Sequence, residues 1–386
     1  MTSSAHAQPA ILQIIPALDA GGAERTAIDV AAALVRDGFA ALVASNGGRL
    51  EPELAAVGGE LVRMNAASKA PHVIYSNARV LRDLIRARGI DLIHARSRAP
   101  AWSALLAARW TDIPFVATYH GFYNASNAVK RFYNSVMLRG DAVIANSQWT
   151  ADHIAREYRF KPARLAVIPR GIDFENFDPA GISPERISRL REAWGVDDGD
   201  FVVLLPGRLT RWKGQGVLIE ALALLKSEAG LGKIKAVLAG DAQGRTEYET
   251  ELRNAIAGAG LEKAVLISGH ISDMAAAYAA SDVVVSASTD PEAFGRVAAE
   301  ASAMAKPVIA ANHGGARETV LPDVSGVLVP PGDAVALATA IASIAATTPD
   351  VRAAMGRAGR AHVSRNFSRE RMCADTIALY RALISS

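Results

Sequence analysis

At 386 residues, half of them hydrophobic, the chain is too long for one ordinary core and too apolar to be disordered, which suits two domains of similar size. The single cysteine, Cys373, excludes an internal disulfide and a cysteine metal cluster and fits a reducing compartment, with the cytoplasm as the expected location. The net charge of +3 conceals an asymmetry: residues 1–171 hold 20 Lys and Arg against 13 Asp and Glu, so the front half is basic and the remainder acidic. Unless it serves solubility alone, a basic front half points to an acidic partner, with phosphorylated lipid or the anionic inner face of a membrane as candidates and no nucleic acid.

The first ten residues carry no Lys or Arg and read as a loose tail. Gln13 and Pro16 interrupt Ile11 to Leu18, so neither a signal peptide nor a spanning helix is expected. Ala10 to Ile15 reads as a first strand, and Gly21-Gly22-Ala23-Glu24-Arg25 follows before a helix ending near Asp37. Two glycines at the carboxyl end of a strand leave room for a ligand, but the spacing is not G-x-G-x-x-G, which disfavours a nicotinamide cofactor. Strands over Ala40 to Ala44, Leu61 to Met64, Asp91 to Ala95 and Phe115 to Thr118 alternate with helices over Asn77 to Arg88 and Ala99 to Arg109. Such alternation predicts a parallel sheet covered on both faces.

Tyr119-His120-Gly121-Phe122-Tyr123 follows the last of these strands, where sheets of this kind place ligands, so His120 is a site candidate. Asn127 to Met137 reads as a helix in which Lys130 and Arg131 mix with Phe132 and Tyr133, a composition that suits a lipid headgroup layer or a solvated face. A strand over Asp141 to Asn146 and the segment Leu165 to Asp173 close the first domain. Asp173 to Asp200, rich in Pro, Gly and charge with one short helix, reads as a connector, and Asp197-Asp198-Gly199-Asp200 as a turn.

The second domain opens with a strand over Phe201 to Leu205, then Gly207-Arg208 and Lys213-Gly214. Arg208 at the strand's end and Lys213 near the next helix start are placed to neutralise a diphosphate, Arg bidentately and Lys as a point charge. Further strands are expected at Ala236 to Ala239, Val265 to Ser268, Val283 to Val285, Pro307 to Ala310 and Val327 to Val329, with Gly240-Asp241, Gly269-His270 and His313-Gly314-Gly315 at strand ends. Asp290-Pro291-Glu292-Ala293-Phe294-Gly295 leads into a helix over Gly295 to Ala305 that carries Glu300. The amides of Phe294, Gly295, Arg296 and Val297 at that helix start suit a phosphate, and the carboxylates of Glu292 and Glu300 suit sugar hydroxyls on either side of it, a hexose and a ribose. The alternative is an ordinary helix with a solvated glutamate at each end. A last amphipathic segment, Ser368 to Leu383, has no strand after it and is expected to brace another domain.

Taken in this order and spacing, Gly21-Gly22-Ala23-Glu24, His120-Gly121, Gly207-Arg208, Lys213-Gly214 and Glu292 through Glu300 resemble the retaining nucleotide-sugar glycosyltransferases of group 1, or family four. The resemblance runs from about Ile11 to the final helix. It implies an α/β architecture of two Rossmann-like domains facing a cleft, the GT-B fold, with the last helix returning to the first domain. The expected division is 1–172 with about 368–386, and 173–367. The resemblance implies Arg208, Lys213 and the amides after Phe294 on the donor diphosphate, with Gly22 making room for it. It implies Glu300 on the ribose, Glu292 and His120 on the donor sugar, and backbone around His270 and Ile271 on the base. The catalytic candidates are thus His120, Arg208, Lys213 and Glu292, and the substrate-binding candidates Gly21, Gly22, Glu24, Gly207, His270, Ile271, Phe294, Gly295, Arg296, Val297 and Glu300.

Neither cofactor nor metal is expected, and UDP stands ahead of GDP as the donor nucleotide. The Tyr119 to Tyr123 and Lys130-Arg131-Phe132-Tyr133-Asn134 segments are similar to bacterial enzymes of cell-surface polysaccharide assembly, so a saccharide or lipid-linked acceptor in lipopolysaccharide synthesis is the first expectation, with the enzyme peripheral on the inner face of the membrane. Two rivals stand: a sugar-nucleotide 2-epimerase of the same fold, told apart by its products without acceptor, and a non-catalytic two-domain sugar-binding protein.

Overall fold

The computed structural model describes residues 8–19, 21–121, 123, 127–158, 162–228, 232–244 and 246–385. Most of the expected N-terminal tail and Phe122 lie outside them. Two compact units divide the chain, Met1–Gly171 with Arg369–Ser386, and Ile172–Ser368. Each boundary falls one residue from its expected place. Ile172 and Ser368 form a parallel bridge and the Ile172 amide donates to the Phe367 carbonyl, so both residues belong to the second unit.

The first unit is a seven-stranded parallel sheet, β1 (Ala10–Ile14), β2 (Ala40–Ser45), β3 (Glu60–Arg63), β4 (Ile90–Ala95), β5 (Phe115–Tyr119), β6 (Ala142–Ala145) and β7 (Leu165–Val167), in the order β3-β2-β1-β4-β5-β6-β7. The chain builds outward from β1 to β3 and then in the other direction from β4 to β7, so the topological switch point lies between β1 and β4. β1, β5 and β6 are buried at every residue, as continuous apolar runs must be when helices cover both faces. Leu12, Ile14 and Ile93 pack on one face and Ile11, Val116 and Leu92 on the other, where Met372, Ile377 and Tyr380 of the last helix, Arg369–Ile384, complete the layer. Each fully buried Leu or Ile of this kind contributes about 1.5–3 kcal/mol.

Two helices differ from expectation. The helix before β4 runs Pro71–Arg88, because Pro71 is pre-shaped for a first turn and has no amide to lose. The expected single helix over Asn127 to Met137 is Ala128–Asn134, capped by Asn127 Oδ1 accepting from the Lys130 amide, and it tightens into a 3-10 turn over Ser135–Leu138.

The second unit is a six-stranded parallel sheet, β8 (Phe201–Pro206), β9 (Ile234–Ala239), β10 (Val265–Gly269), β11 (Val283–Ser286), β12 (Val308–Ala311) and β13 (Gly326–Val329), in the order β10-β9-β8-β11-β12-β13. Because every pairing is parallel, the loops after β8 to β12 leave from one edge. The expected connector is instead part of this unit: Phe177 and Trp194 are buried in its core, and the helix Pro184–Ala193 is pinned by Arg186, which donates twice to Asp273. Its Pro, Gly and charge mark turns between packed pieces.

Candidate active site

The loop after β8 and the loop after β11 are nested. Gly214 has φ +78°, and a Cβ there would sit 1.9 Å from the Ala287 carbonyl oxygen, so only glycine permits the approach. The Thr289 amide donates to the Trp212 carbonyl across the same contact at 2.8 Å. This nesting delivers Lys213 Nζ to Glu292 Oε1 at 2.7 Å, with the two side chains only 13% and 14% exposed. Ser288 Oγ donates to the same Glu292 oxygen, His313 Nε2 donates to the Ser288 carbonyl at 2.8 Å, and Lys213 Nζ lies 4.4 Å from the Trp212 ring centroid. Burial alone would raise the Glu292 carboxyl, but the charge and hydrogen bond of Lys213, with Ser288 and His313, outweigh it and hold the group below its ordinary value.

Gly295 begins the helix Arg296–Ala303 in the left-handed region, φ +76°, and no side chain caps that end. A Cβ on Gly295 would stand 2.9 Å from the Ala316 amide nitrogen of the loop after β12. The uncapped first turn carries partial positive charge, and its amides are disposed to hold an anion. Phe294, before it, is buried edge-on to Phe367 and anchors the loop instead of facing a ligand.

Glu300 points inward and is 6% exposed. Tyr278 Oη donates to its Oε2 at 2.9 Å, and Arg296 Nε donates to its Oε1 at 2.5 Å. Burial, with the Glu300 charge and hydrogen bond, pushes the Tyr278 phenol well above its ordinary value, so it stays a donor. Arg208, after Gly207 at the end of β8, is exposed and has no ion pair among the described residues, while its carbonyl accepts from Gln215 Nε2 at 3.0 Å. His270 is exposed just past β10, and Ile271 is half-buried against the core.

The other candidates lie in the first unit. Gly21 is the N-cap of the helix Gly22–Arg36, and the Glu24 carboxylate folds back over it, so that a Cβ on Gly21 would lie 2.0 Å from Glu24 Oε2. His120 directly follows β5, and Arg170 Nη2 donates to its Nδ1 at 3.3 Å. Burial, then the charges of Arg170 and Arg96, hold the His120 imidazole well below its ordinary pKa and therefore neutral.

The structure thus joins Lys213 and Glu292 directly and sets Arg208, His270, Glu300 and Phe294 to Val297 on the same edge of the second sheet. It adds Tyr278, Ser288 and Gln215, which the sequence did not mark. Tyr278 sits in an alanine-rich helix and Ser288 in a loop, and neither carries a local signal. Among the described residues no three His, Cys, Asp or Glu side chains group as a metal site would require.

Two doubly wound parallel units, the second presenting paired cation and carboxylate beside an uncapped helix start, define a nucleotide-sugar transferase of the GT-B class. The family models for Glycosyltransferase Family 4 and for Glycosyl transferases group 1 match residues 20–176 and 187–362. A D-inositol 3-phosphate glycosyltransferase of Xylanimonas cellulosilytica is 32% identical over 75% of this chain and 71% of its own length. Among solved structures, a glycosyltransferase from Rickettsia africae aligns with TM-score 0.88 and 38% identity over 98% of this chain and 99% of that one. Anabaena HepE, solved with UDP and glucose, aligns with TM-score 0.82 and 30% identity over 97% and 99%. The chain belongs to the group 1 glycosyltransferases and transfers sugar from a nucleotide sugar.

Proposed function

We propose that the protein moves a hexose from UDP-hexose, with retention at the anomeric carbon and without a metal, to a saccharide or lipid-linked acceptor in cell-surface polysaccharide assembly. The observation that carries the donor half is the Lys213–Glu292 pair set at one edge with the uncapped helix start. Arg208, Lys213 and the amides of Gly295 to Val297 take the diphosphate, Glu300 the ribose, Glu292 the sugar hydroxyls, and backbone at His270 and Ile271 the base. Uridine is supported by HepE, which is solved with UDP and with UDP-glucose. Glu292, committed to Lys213 and Ser288, is placed to bind hydroxyls and not to attack carbon. The leaving diphosphate's own oxygen then takes the acceptor proton on the same face, and the two cations stabilise the charge it develops.

For the acceptor half, the helix Ala128–Asn134 exposes Val129 and Phe132, at 77% and 61%, beside Lys130 and Arg131. Apolar and basic side chains on one short helix suit an anionic membrane face at the cytoplasmic side. A second reading has support in the relatives named D-inositol 3-phosphate glycosyltransferase, under which the acceptor is a soluble phosphorylated cyclitol.

Thermal unfolding with a panel of nucleoside diphosphates and their sugars tests the donor. UDP at about 100 times its Kd is expected to add about 2.7 kcal/mol of stability, more than GDP at the same concentration. No response to any nucleoside diphosphate would sink the reading, and epimerised sugar released without acceptor would replace it with the epimerase. Tyr278→Phe is expected to weaken UDP about fivefold by freeing the Glu300 carboxylate, and to leave affinity for 2′,3′-dideoxy-UDP unchanged. Equal losses for both nucleotides would remove Glu300 from the ribose.

A further inference from the structure

Both side chains that donate to Glu292 depend on one peptide unit, that between Ser288 and Thr289. Its N–H donates to the Trp212 carbonyl at 2.8 Å, which ties it to the residue before Lys213. Its carbonyl oxygen accepts from His313 Nε2 at 2.8 Å, so that ring nitrogen carries a proton. A peptide group is planar, and bonds at opposite ends of it fix the plane. Ser288 is 3% exposed, and with its backbone fixed its hydroxyl is aimed at Glu292 Oε1. His313 belongs to the loop after β12, and the same loop holds the Glu292 backbone. The Gly315 amide donates to the Glu292 carbonyl at 2.8 Å, and a Cβ on Gly314, at φ +61°, would lie 2.3 Å from that carbonyl oxygen. One loop thus grips Glu292 twice, directly at the main chain and through Ser288 at the carboxylate.

The two oxygens of that carboxylate are not equivalent. Oε1 accepts from both Lys213 Nζ and Ser288 Oγ, whereas Oε2 accepts no hydrogen bond among the described residues. The ammonium is a point charge that attracts either oxygen, so it does not choose between them. The single O–H of Ser288 is directional and does choose. We infer that His313 is a positioning residue for the donor sugar: by holding the Ser288 carbonyl it keeps Glu292 Oε1 occupied and Oε2 turned to one sugar hydroxyl. Glu292, held below its ordinary value, is ionised and only accepts, so the ligand group at Oε2 is an O–H donor. His313 acts through Ser288 and not by touching the substrate. The inference rests on the reading of Glu292 as the sugar's partner and adds to it what orients the carboxylate.

Calorimetry with UDP and with UDP-glucose gives, for each variant, the ratio of the two affinities, in which a general loss of nucleotide binding cancels. His313→Ala is expected to shift that ratio about fivefold against UDP-glucose, and His313→Gln, whose amide reaches the same carbonyl, to shift it by about twofold at most. Ser288→Ala should cost as much as His313→Ala, and the two together no more than Ser288→Ala alone, because one acts through the other. Glu292→Gln is the reference, with a shift of about tenfold. Should His313→Ala not fold, Ser288→Ala and His313→Gln carry the comparison: the first must shift the ratio and the second must spare it. If Glu292→Gln shifts the ratio while His313→Ala or Ser288→Ala leaves it at the wild-type value, the inference is overturned and Glu292 stays on the sugar. Losses that add in the double variant, or no recovery in His313→Gln, also overturn it. A ratio that Glu292→Gln itself does not move would instead take the carboxylate off the sugar and overturn the reading beneath.

Discussion

Lys213→Ala is expected to lower turnover about 100- to 1000-fold while moving the Michaelis constant for the donor little, as measured by steady-state kinetics. The reason lies in what the ammonium faces before and during reaction. In the structure it neutralises Glu292 at 2.7 Å. On the proposed path it must oppose a diphosphate that gains charge as the glycosidic bond breaks, so its interaction strengthens toward the transition state. The variant also leaves Glu292 with few counter-charges in a largely buried place, and removing one partner of a buried pair costs about 3–5 kcal/mol. The double variant Lys213→Ala, Glu292→Gln separates the two effects: it should recover much of the melting temperature and none of the turnover. A single variant that raised only the Michaelis constant would show that Lys213 binds the donor without assisting its cleavage.

The first unit is expected to lose stability as pH falls below about 6.5, before its carboxylates titrate. His94 is fully buried, bonded through Nδ1 to the Tyr380 hydroxyl and through Nε2 to Thr118 Oγ1, and burial followed by the charges of Arg96 and His120 holds it well below its ordinary value. His120 is depressed in the same direction. A histidine whose folded pKa lies below its unfolded one takes up its proton on unfolding. Stability is therefore fully present above the unfolded value and drains away as pH drops toward the folded value, at up to about 1.4 kcal/mol per pH unit for each ring. Denaturant titrations between about pH 7.5 and 5.5 should show this slope, and His120→Gln should reduce it by about half. A flat profile across that window would mean that the two rings are not held neutral. The depressed carboxyl of Glu292 acts later, since its contribution is lost only below the ordinary glutamate range.

Both sheets were legible because parallel strands covered on both faces must be apolar at nearly every position, and runs such as Ile11 to Ile14 or Val283 to Val285 have few other uses. Charge and proline misled where the chain packs through turns: Asp173 to Asp200 reads as a linker until Phe177 and Trp194 are seen in the core. The places of Arg208, Glu292 and Glu300 in the fold were readable, because a strand end or a helix start fixes each of them. Their mutual contacts were not. Lys213 meets Glu292 only because Gly214 slides under the Ala287 carbonyl, and Tyr278 meets Glu300 only because two separate helices turn these side chains toward each other in the interior.

The last helix, Arg369–Ile384, supplies Met372, Ile377 and Tyr380 to a core begun by β1. A ribosome therefore delivers the opening half of the molecule long before the piece that seals it. The intervening unit is free to fold at once, while the earlier one waits with an apolar flank and His94 Nδ1 unsatisfied until this helix has emerged. Nascent-chain maturation is thus ordered middle first and beginning last.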